Sequence, residues 1–352
     1  MQQLDRRRFI LAGLAIPVAA RSGALSSHAG SIVRASEDPL WFVDPELRPF
    51  ARDILAESPS LPALTPATLP AARSAPKPWV HAPRPDVSFV KKVIPGKPNA
   101  PDVMIYVINA KADSRRAGIL HTHGGGFVLG SAADSIFDLQ GLATELDCAI
   151  VTVDYRLAPE TTYAGSIEDN YAGLRWLQAH AEELGVDPAR IAVMGESAGG
   201  GHAALLAITA RDRGEVPVAF QCLIYPMLDD RTGSTRKVPA PIGTLLWAAD
   251  ANRFGWRSFL GQEPGGPSVP AKAVPARLHD FKGLPPTFVG VGSIDLFVQE
   301  DIAYAHRLIE AAVPTQLVVM PGAFHGFDQI GAGTMIGKSF NAMKLDALRR
   351  NL

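Results

Sequence analysis

Ser197 stands in the stretch "VMGESAGGGHAAL", between glycines at 195 and 199. A serine hydroxyl is a weak nucleophile until a base takes its proton, and the turn that best exposes it is a sharp strand-to-helix corner with small neighbours. The apolar run "RIAVM" ahead and the Ala/Leu-rich run "GGHAALLAITARDR" behind predict that strand and that helix. The positive end of the helix would face developing negative charge. Two later stretches supply a base and an acid: "VGSIDLF" carries Asp295 and "PGAFHGFD" carries His325, each after an apolar strand. An imidazole, with a reference pKa of about 6.5, takes a proton at neutral pH and returns it. A carboxylate behind the ring fixes its tautomer and stabilises the imidazolium. The chain order Ser, Asp, His suits three groups at strand ends of one sheet. Taken singly, Ser197 or Asp295 could be helix N-caps and His325 a buried structural histidine; their coincidence argues otherwise.

A fourth stretch, "HTHGGGF" at His121–Phe127, follows the strand "AGIL". Three glycines bring bare N–H groups close to a reacting oxygen, and two of them with the N–H of Ala198 would surround an oxyanion. His121 and His123 have the spacing of a metal pair, but a third ligand at suitable spacing is missing, so no metal is expected. His123 is expected to hold the loop in shape through hydrogen bonds. The nucleotide fingerprint G-x-G-x-x-G is absent from the Ser197 turn.

The elements that must position these groups are legible as rhythm. "GILHTHGG", "CAIVTVDY", "IAVMG", "FQCLIYP", "PTFVGVG" and "TQLVVMPG" are short β-rich runs, most separated by helical patterns such as "IEDNYAGLRWLQAHAEEL" and "DIAYAHRLIEAA". Such alternation predicts an α/β fold, a mostly parallel central sheet with helices on both faces. Ligands then bind where loops leave the carboxyl ends of the strands. A helix is predicted from Glu37 to Glu57. Between Pro59 and Pro101 lie 11 of the 29 prolines, which reads as an extended covering segment. "VSFVKKVIPG" and "DVMIYVINA" read as two strands joined by a turn. The alternation breaks between about Asp229 and Lys272, where "TLLWAADANRFGWRSFLG" predicts a helix in an insertion above the sheet. One domain with a helical cap, drawn from about 36–85 and 229–272, is the expected organisation.

Composition narrows the partners. With 34 Lys and Arg against 35 Asp and Glu, no attraction to nucleic acid or anionic membrane is expected. Cys148 and Cys222 lie in apolar runs and are expected to be buried, inert thiols. The start "MQQLDRRRF" is basic and the following "FILAGLAIPVAA" apolar. Twelve residues rise about 18 Å as a helix, short of a bilayer core of about 30 Å. Stable membrane insertion is therefore not expected, and the layout is that of an export signal. "RRRFIL" resembles the twin-arginine type, with cleavage after Ala20 or Ala29. Residues 1–29 are set aside as that signal, 30–352 as the folded domain. A periplasmic or secreted location follows as an expectation, with the cytoplasm as the alternative.

Together these stretches resemble the hormone-sensitive-lipase-like family of α/β hydrolases, in its bacterial carboxylesterase branch. The resemblance rests on "HGGGF" at 123–127, "DYRLAPE" at 154–160, "GESAGG" at 195–200, "LIYPMLDDR" at 223–231, "GLPPTFVGVGSIDLF" and "PGAFHGF". It implies the α/β-hydrolase fold, Ser197 as nucleophile, Asp295 as acid and His325 as base. It places the oxyanion donors at Gly125, Gly126 and Ala198, and implies hydrolysis of small-molecule, short-acyl esters without cofactor or metal. A lipase on longer chains, an amidase, or a ligand-binding module without catalysis are the rivals. A homodimer is one oligomeric state left open. Phe127, Trp247 and Phe327, close in sequence to these motifs, suggest a small apolar acyl site. Asp154 and Glu160 are read as structural residues tying the turn beside the glycine loop. Two departures stand out: Glu196 where Asp or Thr is commoner, and "TTYAGS" after "DYRLAPE" where a proline is usual.

Overall fold

Strands buried on both faces form the centre of the molecule, which is a computed structural model describing residues 38–58, 62–77 and 80–352. The segment read as an export signal lies outside the described residues. Two helices come first, α1 (Arg48–Glu57) and α2 (Leu69–Ser74), then the strands β1 (Phe89–Ile94), β2 (Val103–Ile108) and β3 (Arg116–Thr122). From there the chain alternates: α3 (Ile136–Leu146), β4 (Ala149–Asp154), α4 (Tyr163–Ala179), α5 (Ala181–Leu184), β5 (Val186–Glu196) and α6 (Ala198–Arg213). It continues through β6 (Phe220–Ile224), α7 (Ala249–Leu260), β7 (Thr287–Gly292), α8 (Val298–Glu310), β8 (Thr315–Met320), α9 (Phe327–Ile330) and α10 (Met335–Asn351).

Among the described residues eight strands make one sheet, in the order β1-β2-β4-β3-β5-β6-β7-β8. The β1–β2 and β2–β4 pairs are antiparallel and the remaining pairs parallel. The mostly parallel sheet read from the sequence is present. Every residue of β3, β6 and β7 is buried, as strands covered by helices on both faces must be. Successive side chains point to opposite faces, and the core divides accordingly. Leu120, Val151, Val193, Leu223 and Val289 pack with Leu174 of α4, Leu206 of α6 and Leu308 of α8. Ile119, Ile150, Ala192, Cys222 and Phe288 pack on the other side with Leu139 of α3 and Phe340 of α10. Cys148 and Cys222 are both buried, and burial pushes each thiol up to about 12, which keeps them inert.

Several boundaries differ from the sequence pattern. The helix expected from Glu37 begins only at Arg48, because Pro45 and Pro49 lack the N–H a continuous helix needs; Pro49 falls in the first turn, where it is tolerated. The helix expected from Thr244 begins at Ala249, after Leu246 adopts a left-handed φ of 65°. The proline-rich stretch contains the short helix α2, again with a proline in its first turn.

A third cluster lies at the strand ends. Leu64, Leu69 of α2, and Phe254, Trp256 and Phe259 of α7 close around Phe127, Trp247 and Phe297. Leu47, Ala51 and Ile54, at and within α1, join Phe324 and Phe327 instead. Residues 47–54 and 64–69 of the expected cap segment are thus anchored on different cores. Phe259 is 1% exposed and stacks on Phe127 with centroids 4.0 Å apart. Phe259→Ala should therefore cost about 3–5 kcal/mol, read as a lower urea midpoint at unchanged slope; an unchanged midpoint would mean this cluster lies outside the cooperative core.

Candidate active site

Ser197 sits between β5 and α6 with φ 57° and ψ −122°, a conformation costing an L residue on the order of 1–3 kcal/mol. Neighbouring segments hold it. The Ser197 N–H donates to Ile224 O at 2.9 Å, and its carbonyl accepts from the N–H groups of Met227 at 2.9 Å and Gly201 at 3.0 Å. The missing bulk has a direct cause: a Cβ at Gly199 would lie 2.0 Å from Thr122 O. The elbow is pressed against the end of β3.

His325 Nε2 lies 2.9 Å from Ser197 Oγ, and His325 Nδ1 lies 2.8 Å from Asp295 Oδ2. An ionised carboxylate only accepts, so Nδ1 carries the hydrogen and the Nε2 lone pair faces the serine hydroxyl. The other Asp295 oxygen accepts from Phe297 N at 2.9 Å. Tyr225 and Phe297 present their rings edgewise to the imidazole, at 4.7 and 5.3 Å between centroids. All three groups are nearly sealed, at 7%, 6% and 1% exposure for Ser197, His325 and Asp295. The arrangement can move a proton from hydroxyl to imidazole and stabilise the charge left on the ring.

The glycine loop lies alongside. Gly125 has φ 122°, and a Cβ there would lie 2.1 Å from Leu129 O. Its carbonyl accepts from the N–H groups of Val128 and Leu129 at 3.1 and 2.8 Å. Over Gly126 rests the Trp247 indole, whose Cη2 would be 2.1 Å from an added Cβ. The indole N–H donates to Asn252 Oδ1 at 3.2 Å. Among the described residues the N–H groups of Gly125, Gly126 and Ala198 are paired with no backbone carbonyl. Ala198 opens α6, where first-turn N–H groups have no partner within the helix.

His121 and His123 engage separate partners. His121 Nδ1 lies 2.9 Å from Thr152 Oγ1, and its Nε2 2.9 Å from Glu196 Oε2. His123 donates from Nδ1 to Gly124 O at 2.8 Å and stacks on Tyr155 at 4.2 Å. Tyr155 in turn donates to His123 O at 2.6 Å. This is the loop-holding role read for His123. Asp154 Oδ1 accepts from Ala132 N at 2.9 Å. Glu160 takes both ends of the Arg73 guanidinium, and Arg73 also donates to Val128 O and Ala158 O at 2.8 Å each. Both carboxylates tie loops together, as read from the sequence.

Two aromatic expectations need correction. Phe127 is packed among His202, Trp256 and Phe259, and Phe327 against Phe340. Both are core residues, placed by burial rather than by nearness in sequence; Trp247 is the one that lies over Gly126. Sequence reading also missed Arg73, Tyr225 and Thr152, whose types carry no signal until the strands are side by side. Among the described residues no group of three His, Cys, Asp or Glu side chains could hold a metal ion, and no helix is long and apolar enough to cross a membrane.

Residues 119–329 match the family described as alpha/beta hydrolase fold. The chain is 34% identical over 259 residues to Esterase LipI of Mycobacterium tuberculosis, covering 72% of this chain and 78% of the relative. It is 30% identical to the Ethyl acetate hydrolase of Pseudomonas putida, covering 67% of this chain and 74% of that protein. The solved structure titled "Bacterial Heroin Esterase" superposes with a TM-score of 0.77 at 38% identity, covering 88% of this chain and 98% of that one.

Behind the loop, burial lowers the pKa of His123 to about 4 and that of His202 to about 3. Neither ring nitrogen of His202 has a partner among the described residues. A histidine with a depressed folded-state pKa takes its proton first in the unfolded chain, so its contribution is complete above about pH 6.5 and is lost as pH falls. Thermal melts from pH 7 to pH 4 should show His202→Leu losing less stability than the unsubstituted protein, by up to about 1.4 kcal/mol per pH unit. Parallel slopes would show that folded His202 takes up its proton as readily as the unfolded chain does.

Proposed function

Since the chain belongs to the α/β-hydrolase family, in its hormone-sensitive-lipase-like branch, and is a carboxylic ester hydrolase, we propose that it cleaves short-chain acyl esters with Ser197 as nucleophile, His325 as base and Asp295 as orienting acid. The observation that carries this reading is the hydrogen-bonded line Asp295–His325–Ser197, at 2.8 and 2.9 Å.

Ser197 Oγ attacks the ester carbonyl carbon while His325 Nε2 takes the hydroxyl proton. The carbonyl oxygen becomes an oxyanion, stabilised by the N–H groups of Gly125, Gly126 and Ala198. Such donors matter because they tighten on charge that develops only in the transition state; losing one typically costs about 2.7–4 kcal/mol. The imidazolium, stabilised by Asp295, returns its proton to the leaving alcohol as the C–O bond breaks. Water then attacks the acyl-enzyme by the same route, with His325 again taking the proton, and frees the acid and Ser197. The partial positive charge at the N-terminus of α6 favours the same oxyanion. No metal or cofactor enters these steps.

The low exposure of Ser197 and the Trp247 indole lying over Gly126 support the short-chain reading. The segments 36–85 and 229–272 are assigned as the cap over this crevice. We extend the proposal to residues 1–29 as an export signal, which N-terminal sequencing of exported protein checks through a new terminus after residue 20 or 29.

Ser197→Ala should lower kcat for p-nitrophenyl acetate by about ten-thousandfold or more with the melting temperature retained; preserved turnover would remove Ser197 from the mechanism. Across p-nitrophenyl esters of increasing acyl length the optimum should lie at short acyl groups. Trp247→Ala should shift it longer; an optimum at long chains in the unsubstituted enzyme would favour a lipase.

A further inference from the structure

The two halves of the proposed catalytic machinery leave adjacent strands: the glycine loop follows β3 and Ser197 follows β5. Their parallel ladder ends at the pair Thr122 and Gly195, so the main-chain hydrogen bonds between β3 and β5 stop short of both reacting segments. Side chains take over there. On one face of the sheet Thr122 Oγ1 donates to Gly199 O at 2.7 Å. On the opposite face Glu196 reaches back to His121, one carboxylate oxygen 2.9 Å from Nε2, and His121 Nδ1 meets Thr152 Oγ1 on β4 at 2.9 Å. Thr152 is the register partner of His121. A hydroxyl, an imidazole and a carboxylate thus bridge three neighbouring strands in the last layer before the loops.

The row is closed to solvent: Thr152 and His121 are 0% and 1% exposed, and the Glu196 side chain 15%. Burial pushes the Glu196 carboxyl up, but the facing His121 imidazole, the charge of Lys344 and a backbone hydrogen bond together leave it below its ordinary value. The backbone of Glu196 also forms the floor of the loop. A Cβ at Gly124 would lie 3.1 Å from Glu196 O and 3.6 Å from Ser197 Cβ.

We propose that Glu196 is a positioning residue, which through His121 and Thr152 fixes the separation between the Ser197 hydroxyl and the oxyanion donors of the glycine loop. This rests on the roles assigned above to Ser197 and to Gly125 and Gly126. A spacing held this way matters when the oxyanion forms, and far less when the neutral ester binds. Its loss should appear in kcat and leave KM nearly alone.

Steady-state kinetics with p-nitrophenyl acetate on Glu196→Gln, His121→Asn, Thr152→Val and the Glu196→Gln/His121→Asn double variant test it. Glu196→Gln should lower kcat about ten- to a hundredfold with KM within about twofold, since sub-ångström misplacement of reacting groups has costs of this order. The double variant should be no slower than the slower single one, because both substitutions break one contact. Thr152→Val, nearly isosteric, should show the same kcat-only loss at smaller size, and decides the matter should Glu196→Gln fail to fold. Values of kcat within about twofold of the unsubstituted enzyme, a loss carried by KM, or strictly additive singles would each overturn the proposal. Ser197→Ala in the same assay separates the two levels. If it is inactive while Glu196→Gln is unaffected, only the positioning role falls; if it stays active, the reading beneath it falls.

Discussion

A backbone conformation that L residues avoid, the turn at Ser197, is the constraint on which the rest of this structure depends. It persists because its surroundings over-determine it. β6 and the segment after it supply the hydrogen bonds to its N–H and carbonyl, through Ile224 and Met227. The end of β3 supplies the wall that admits no side chain at Gly199. Each of these segments has a second task. The segment from 227 leads into the insertion, and β3 leads into the glycine loop. Holding the strained residue and assembling the site are therefore one packing problem.

Strand order explains how distant parts of the chain meet. Neighbours in the sheet run β3-β5-β6-β7-β8, so the loops bearing the glycines, Ser197, Asp295 and His325 leave the same edge within a few strand widths. About 4.8 Å separates adjacent strands, and side chains of ordinary length span the gaps. The imidazole needs lateral support as well, because a ring free to swing would meet neither partner. Tyr225 and Phe297 give that support. The Tyr225 hydroxyl is anchored in turn by Asp328 at 2.7 Å.

The insertion is fastened electrostatically at its ends. Arg277 donates from Nε to Asp230 at 2.6 Å, and Asp229 pairs with Arg231 and Arg236. Glu300, fully buried on α8, accepts from the N–H groups of Leu228 and Asp229 at 2.6 and 3.0 Å; burial raises its pKa well above the ordinary value. Of these, the Arg277–Asp230 pair is largely buried, and removing one partner from it costs about 3–5 kcal/mol because the other stays desolvated. The pairing fixes the start of the insertion, where Thr232 O accepts from Asn252 of α7 at 2.8 Å, and the same Asn252 accepts from the Trp247 indole. It also explains why charged residues in "LIYPMLDDR" sit beside an apolar core without serving the chemistry.

Which residues carry the groups that meet at the candidate site was decided locally, and so was visible in the chain. Ser197 announced itself by the small residues its turn demands, the glycine loop by consecutive glycines, and Asp295 and His325 by their places after apolar strands. The alternation of apolar runs gave the sheet and its covering helices for the same reason: burial and backbone pairing repeat every two or 3.6 residues. Helix starts were displaced where proline or a left-handed residue intervened, as at Pro45 and Leu246. What folding alone decided are the contacts across strands. That Glu196 faces His121, that Thr152 completes the row, that Arg73 reaches the glycine loop, and that Phe127 and Phe327 are core residues all follow from register and packing. Those depend on the whole sheet being assembled, and no short stretch of sequence contains them.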